Sequence, residues 1–462
     1  MPERAAWFRR CHCSDASEAE IRSSLTGAGV RLQEAVEGPC GIVCFEKVND
    51  EVLSLLHSAR REANSRVVAI TTEQSESQNS FAWRLLHAGA SDVIAWDRNR
   101  SPASWVRARI DRWSELDELT ATLTRRESLI GNSPAWSTTV RNVVEAARFS
   151  GAPILLTGES GTGKELLARL ISLVDPVEAG NPLKRELVTV DCGALVPELS
   201  GSEFFGHERG AFTSAVTQRE GAFATANGRT LLLDEIGEVP FHLQAQLLRA
   251  IQEKTYKRVG GNTWQTTNFR LVCATNRNLI RMVHEGQFRL DLYHRIAGCV
   301  VRVPSLRERK ADILPLATHF LQRIFSDSTP GFDPPVAEYL LNRPYEGNVR
   351  ELRQLIERIA TRHARKGPIT VGDIAEEDRP PDGVLLRSWP DDSLEQSIAN
   401  AVITGVSLKE ITQTTAETAI RIAVQSEQGN LQRAASRLGI TDRALQMRRA
   451  SGRLQPGSGG AG

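Results

Sequence analysis

The run "ILLTGESGTGKE" at 154–165 constrains this chain more than any other stretch. An apolar strand runs into a glycine-rich turn, and a lysine then opens a helix. Gly158, Gly161 and Gly163 let successive backbone N–H groups, those of Glu159, Ser160 and Thr162 included, converge on phosphate oxygens. The helix N-terminus adds partial positive charge, and Lys164 reaches the outer phosphates. One position departs from the generic pattern: Glu165 stands where Ser or Thr would hold magnesium.

A second element fits the first. "TLLLDE" (230–235) is an apolar strand ending in two acids, suited to Asp234 on Mg²⁺ and Glu235 polarising an attacking water. Two acids at a strand end also serve solubility. In this order behind a phosphate cradle, they point to ATP hydrolysis, with ATP and Mg²⁺ as the expected cofactors.

With 462 residues the chain exceeds one hydrophobic core and suggests about three domains. Residues 1–115 alternate strand-like runs ("GIVCFEKV", "RVVAITT", "SDVIAW") with helix-like ones, which argues a small α/β unit with a parallel sheet. A polar linker, 116–128, precedes a larger α/β domain at 129–305 built on "PILLTG", "ELVTVD", "RTLLLDE", "FRLVCATN" and "CVVRVP". Residues 306–372 read as all helix, 373–405 as a linker, 406–453 as helices again, and 454–462 as a disordered tail. The expected fold class is multidomain α/β.

Net charge of +1 gives no global pull toward nucleic acid or membrane, so any basic surface must be local. The start "MPERAAWFRR" has no apolar core of signal-peptide length and no membrane-length run follows, so cytoplasmic placement without a membrane is expected. Seven cysteines fit reduced thiols. "CHC" at 11–13, with Cys40 and Cys44, lacks the spacing of a zinc ribbon or finger, and these cysteines read as small buried hydrophobes.

"GESGTGKE", "SEFFGHERGAFTSA", "TLLLDEIGEVP", "CATNR", "FRLDLYHRI", "PSLRERKADI" and "EGNVRELRQLIER" together resemble the sigma-54-dependent transcriptional activators, bacterial enhancer-binding proteins of the AAA+ ATPase class. That family commonly has Glu at the position of Glu165. The resemblance implies an AAA+ parallel sheet (129–305) with a helical lid (306–372). It implies roles for Asn276 as first sensor and Arg350 as second, the latter reaching nucleotide from the lid. Arg289 and Arg295 would be arginine fingers supplied to a neighbouring subunit, which makes a ring the enzyme; a hexamer is the family expectation. Asp191 stands where a side chain, often Asn, would hold Glu235 at rest. Two facing carboxylates would raise one pKa or separate.

The loop "HERGAFTSAVTQREGAF" (207–223) has neither helical nor strand periodicity and places Phe212 among small residues that cannot cover it. The resemblance implies that Gly210, Ala211, Phe212, Thr213, Ser214 and Ala215 touch sigma-54, with Ser214 where glycine is usual. Exposed apolar surface of this kind marks a binding site.

The segment 429–453 reads as helix, a turn at Gly439, and a second helix opened by Thr441 as N-cap. It carries six arginines against one acid and resembles the family's Fis-type helix-turn-helix. Arg443 and Gln446 would face base edges of double-stranded DNA, with Arg448 and Arg453 nearer the backbone. Arg449 stands where a buried leucine is usual. The N-terminal domain resembles a response-regulator receiver without its chemistry: Trp96 replaces the usual lysine, no acidic pair follows the first strand, and Glu46 is no substitute for the acceptor aspartate. An unknown signal or partner would then control it.

The expected function is an ATPase that binds upstream DNA and remodels sigma-54 RNA polymerase holoenzyme for promoter opening. A nonenzymatic DNA-binding regulator with a decayed ATPase scaffold is the rival, opposed by intact Lys164, Asp234, Glu235, Arg289 and Arg295. Another AAA+ remodeller is a second rival, opposed by the loop and the DNA-binding end.

Overall fold

A computed structural model describes residues 4–380, 392–427, 430–441 and Leu445, apart from 37, 63–64, 73–77, 98–101, 128, 175–185, 197–198, 214, 326–328 and 365. The chain divides into one compact unit up to Ala375 and a second from Glu376 onward.

The first unit opens with β1 (Arg4–Cys11), α1 (Asp15–Gly27), β2 (Val30–Gln33), β3 (Cys40–Phe45), α2 (Asp50–Glu62), β4 (Arg66–Thr71), α3 (Gln78–Ala88) and β5 (Asp92–Ala95). All four strand pairings are parallel, in the order β2-β1-β3-β4-β5. Every residue of β3 is buried, as a central strand covered on both faces requires. The order reverses between β1 and β3, which makes the loops after those strands the switch point where ligands of doubly wound sheets sit.

α4 (Pro102–Arg126) joins this domain to the next. Its Val106, Ile110 and Trp113 pack into the N-terminal core, while Leu116 and Leu123 pack into the core of the following domain. The stretch 116–128, read from its polar composition as a linker, is through Arg126 the second half of this helix. Its polar residues form ion pairs instead of hanging in solvent. Asp117 lies 3.4 Å from Arg141 and also pairs with Arg66, and Arg148 donates to Glu115 at 3.0 Å.

The larger α/β domain contains α5 (Pro134–Phe149), β6 (Ile154–Thr157), α6 (Lys164–Val174), β7 (Leu187–Asp191), α7 (Ser200–Phe205), α8 (Ala222–Thr225), β8 (Thr230–Asp234) and α9 (Phe241–Glu253). A hairpin of β9 (Thr255–Lys257) and β10 (Trp264–Thr266) follows, then β11 (Arg270–Thr275), α10 (Leu279–His284), α11 (Leu290–Ile296) and β12 (Cys299–Arg302). The five long strands pair in parallel in the order β12-β6-β11-β8-β7. α12 (Ile313–Ile324), α13 (Pro334–Asn342) and α14 (Asn348–Arg362) form the lid around a core of Leu316, Leu340, Leu352 and Ile356.

The second unit contains α15 (Asp392–Ile403), α16 (Leu408–Ser426) and α17 (Leu431–Arg437), with Ile420, Ala435 and Leu445 packed together. α15 lies inside the stretch read as a linker. Asn430 caps α17 through Arg433 N–H, and Gly439 takes φ +65°, a left-handed turn that glycine makes without strain. The Leu445 N–H donates to the Thr441 carbonyl at 3.2 Å. Arg443, Gln446, Arg448, Arg449 and Arg453 lie outside the described residues. Among the described residues no helix is long and apolar enough to cross a membrane.

Candidate active site

β6 delivers the chain into the glycine turn, and α6 carries it away on Leu167, Leu170 and Ile171, all fully buried. Gly161 takes φ +75°, and a Cβ there would lie 2.3 Å from the Gly347 carbonyl oxygen, so no other residue fits without moving the lid. Thr162 is buried and donates to the Glu159 carbonyl at 2.8 Å, closing the turn. Glu165 points to solvent from the first turn of α6.

Lys164 is only 7% exposed. Its Nζ donates to the carbonyls of Gly158 (2.9 Å) and Glu159 (3.2 Å) and lies 3.7 Å from Glu235 Oε1. A buried ammonium held mainly by neutral carbonyls of a phosphate loop fits a group that exchanges them for phosphate oxygens. Glu235 sits at φ +48°, ψ +49°, a left-handed conformation uncommon for a residue with a side chain. That turn after β8 aims its carboxylate back across the sheet, where Oε2 accepts from the Asn276 N–H at 3.1 Å. Asp234, Glu235, Asn276 and Lys164 therefore meet at the ends of three adjacent strands, β8, β11 and β6. The residues present fit a nucleotide with its divalent cation.

Asp191 stands directly beside Asp234 in the β7–β8 register. Its Oδ1 accepts from the Gly193 N–H at 2.9 Å, while Glu235 is held by Lys164 and the Asn276 N–H. Asp191 is turned onto its own loop.

The lid closes on the turn through Arg350, expected as second sensor, and through residues that motif reading passed over. Asn348 is 0% exposed and takes φ +53°. Its Nδ2 donates to Glu159 Oε2 (2.9 Å) and the Ser160 carbonyl (3.0 Å), while its Oδ1 accepts from Leu306 N–H at 2.7 Å. Arg307 pairs with the other oxygen of Glu159 at 2.5 Å, and Arg350 Nη1 reaches Ser160 Oγ at 3.0 Å. Beneath the turn, burial lowers the Arg309 guanidinium to about 10, with Asp312 opposing; it stacks 4.2 Å from the Trp136 ring and donates to the Thr162 carbonyl. The signal for Asn348 was present in "EGNVREL", since asparagine tolerates left-handed backbone better than other residues with a side chain.

Arg289 is the N-cap of α11 and Arg295 lies in its last turn. The Arg289 guanidinium forms a two-point pair with Asp291 (3.1 and 2.8 Å), and Arg295 is exposed. Gln244, 0% exposed on α9, accepts the Arg289 N–H at 2.9 Å and donates to the carbonyls of Val239 and Gln287.

The loop at 207–223 leaves the domain between α7 and α8. His207 pins its root: Nδ1 lies 2.7 Å from Ser202 Oγ, and Nε2 lies 3.0 Å from the Thr217 carbonyl. Two backbone turns close the tip, Ala211 N–H to Glu208 O and Ala215 N–H to Phe212 O. The sequence suggested a bare phenylalanine; Phe212 is instead half-buried, its ring edge-on to His207 with centroids 4.9 Å apart. The reason is that the ring of the histidine at the loop root supplies the cover that the small neighbours cannot. Gly210 and Thr213 are exposed, Ala211 is half-buried and Ala215 buried; Ser214 lies outside the described residues. Val216 is the exposed apolar side chain of the tip, at 74%.

Residues 129–302 match the family described as "Sigma-54 interaction domain", and residues 307–382 match "AAA+ ATPase lid domain". The transcriptional regulatory protein ZraR of Klebsiella oxytoca is 38% identical over 443 residues, covering 92% of this chain and 94% of that protein. The response regulator protein PilR of Pseudomonas aeruginosa is 38% identical over 324 residues, covering 69% of this chain and 68% of that protein. The Nif-specific regulatory protein of Rhizobium meliloti is 44% identical over 255 residues, covering 55% and 46%. The glycine turn, the acid-tipped β8, the lid and the match over nearly a full-length relative agree: this chain belongs to the sigma-54-dependent transcriptional activators and carries their AAA+ ATPase domain.

Proposed function

We propose that this protein couples ATP hydrolysis to remodelling of sigma-54 RNA polymerase holoenzyme at promoters, acting from upstream DNA. The observation that carries the reading is the meeting of Lys164, Glu235 and the Asn276 backbone at the strand ends, roofed by a lid that touches the glycine turn directly. Lys164 would leave the loop carbonyls for the outer phosphates. Glu235, freed from Lys164, would orient the attacking water and take its proton. Asp234 would hold Mg²⁺, which supplies charge neutralisation on the phosphates when bound. Asn276 would act as the first sensor of nucleotide state and Arg350, from the lid, as the second.

Arg289 and Arg295 are read as fingers for a neighbouring copy, so the active form is a ring. A finger is worth about 10³–10⁵ in rate. The tip 210–215 is read as the sigma-54 contact, with Phe212 leaving His207 to dock. α17 and the Gly439 turn support a DNA-reading role for 406–453, with phosphate contacts from its arginines.

The test is reconstituted transcription from a sigma-54 promoter. Wild-type protein with ATP should open the promoter; Glu235→Gln should keep ATP binding and lose both turnover and opening. Turnover in Glu235→Gln equal to wild type would overturn the assignment.

A further inference from the structure

The switch point of the N-terminal sheet carries no acceptor aspartate, and the residues in its place are two thiols. Cys13 follows β1 and Cys44 sits near the end of β3, the two strands flanking the reversal of strand order. Their Sγ atoms are 3.5 Å apart. This contact is made by a backbone turn. Strand alternation would put Cys11 and Cys13 on one face. His12 between them takes φ +48°, and the two are parted: Cys11 packs with Trp7 and Val43, Cys13 with Ile42 and Cys44 on the other side. Glu46, the nearest acid after β3, is already committed to the Ser14 N–H at 2.9 Å. Among the described residues no cluster of His, Cys, Asp and Glu suits a metal.

We propose that Cys13 and Cys44 form an oxidisable dithiol, a modification site for peroxides in the place where a receiver domain would accept phosphate. Cys13 is 9% exposed and Cys44 0%, so Cys13 is the thiol a small oxidant meets. Its sulfur attacks the peroxide, the O–O bond breaks, and Cys13 becomes a sulfenic acid with release of an alcohol or water. The Cys44 sulfur then attacks Cys13 Sγ, the S–O bond breaks, and water leaves as the disulfide forms. Two thiols lose two electrons and one peroxide is reduced. Burial raises the Cys44 thiol well above the ordinary range, which disfavours its reaction with oxidant, and the 3.5 Å contact with Cys13 is what favours the internal step.

Closure would be felt beyond the pair. Cys13 and Cys44 share their core with Val106, Ile110 and Trp113 of α4, the helix whose later turns place Leu116 and Leu123 in the ATPase core. Drawing the two sulfurs to bonding distance shifts that packing, and α4 carries the shift toward α5 and the sheet.

The experiment uses the full-length reduced protein exposed to hydrogen peroxide, with free thiols then alkylated under denaturing conditions and peptides mapped by mass spectrometry. The expected result is loss of both free thiols and a Cys13–Cys44-linked peptide two hydrogens lighter than the reduced pair, reversed by dithiothreitol. Cys44→Ser should give no link and a Cys13 sulfenic acid that dimedone traps. ATPase turnover should change about twofold or more on oxidation of the wild type and not of Cys44→Ser. Far-UV circular dichroism establishes that both proteins are folded. Folded protein that returns both cysteines alkylated, or that links Cys13 to any other cysteine, overturns the site. Full closure with unchanged turnover overturns its link to the ATPase.

Discussion

The backbone N–H of Arg289 donates to the buried side-chain oxygen of Gln244 at 2.9 Å. This bond ties the first residue before α11 to α9, the helix that follows Glu235. With its amide nitrogen on the carbonyls of Val239 and Gln287, Gln244 joins the hydrolytic strand end to the proposed finger.

Gln244→Leu should therefore behave as a finger defect rather than a binding defect. ATP affinity should stay near wild type while turnover falls about tenfold or more, since small misplacement of a catalytic group is that costly. Three backbone groups lose their partner, so thermal unfolding should also shift down by the equivalent of about 1–3 kcal/mol. Isothermal titration and steady-state turnover separate the two effects. A variant with weakened ATP affinity and unchanged saturated turnover would refute the positioning role.

Asn348 gives a second prediction, on the lid. Removing its amide takes away a hydrogen bond to the charged Glu159 and strands the Leu306 N–H. Bonds of that kind are worth about 1.5–3 kcal/mol, so nucleotide affinity should fall about tenfold or more in Asn348→Gly. Glycine is the informative choice because it keeps the φ of +53° at no strain. Wild-type affinity in Asn348→Gly would mean that the backbone alone matters.

A third prediction concerns His207. His207→Ala removes the ring against which Phe212 packs and the two contacts that pin the loop root. Proteolysis between 208 and 219 should speed up, while ATPase activity of the assembled protein stays within about twofold of wild type, since the loop is no part of the nucleotide site. Unchanged protease sensitivity would show that the loop is held by its backbone turns alone.

Much of this was legible in the sequence, and the boundary follows from distance along the chain. The glycine turn and the acids 234–235 are local patterns, so spacing and residue type sufficed. Asn348 and Glu159 lie 189 positions apart, and no local pattern announces that pair. The hairpin β9–β10 was missed because its strands are three residues each, too short for an alternating pattern to register, although "VGGN" carries a turn signal. The polar second half of α4 resembled a linker because its polar residues are satisfied by arginines from β4 and α5, distant in sequence. The exposure of Phe212 was misjudged for a different reason: an aromatic neighbour five residues back covers it.

The central claim is that hydrolysis and polymerase contact are separate parts of one machine, and Phe212→Ala tests it most directly. Lys164, Asp234 and Glu235 are the residues proposed to serve the nucleotide, whereas Phe212 touches His207 and its own loop. Losing an aromatic anchor at an interface costs on the order of 2–4 kcal/mol, enough to reduce binding well beyond tenfold. The measurement is promoter opening by sigma-54 holoenzyme, recorded beside ATP turnover in the same reactions. The account predicts turnover near wild type with opening lost. Opening at the wild-type level, or a collapse of turnover with the protein unfolded, would contradict it.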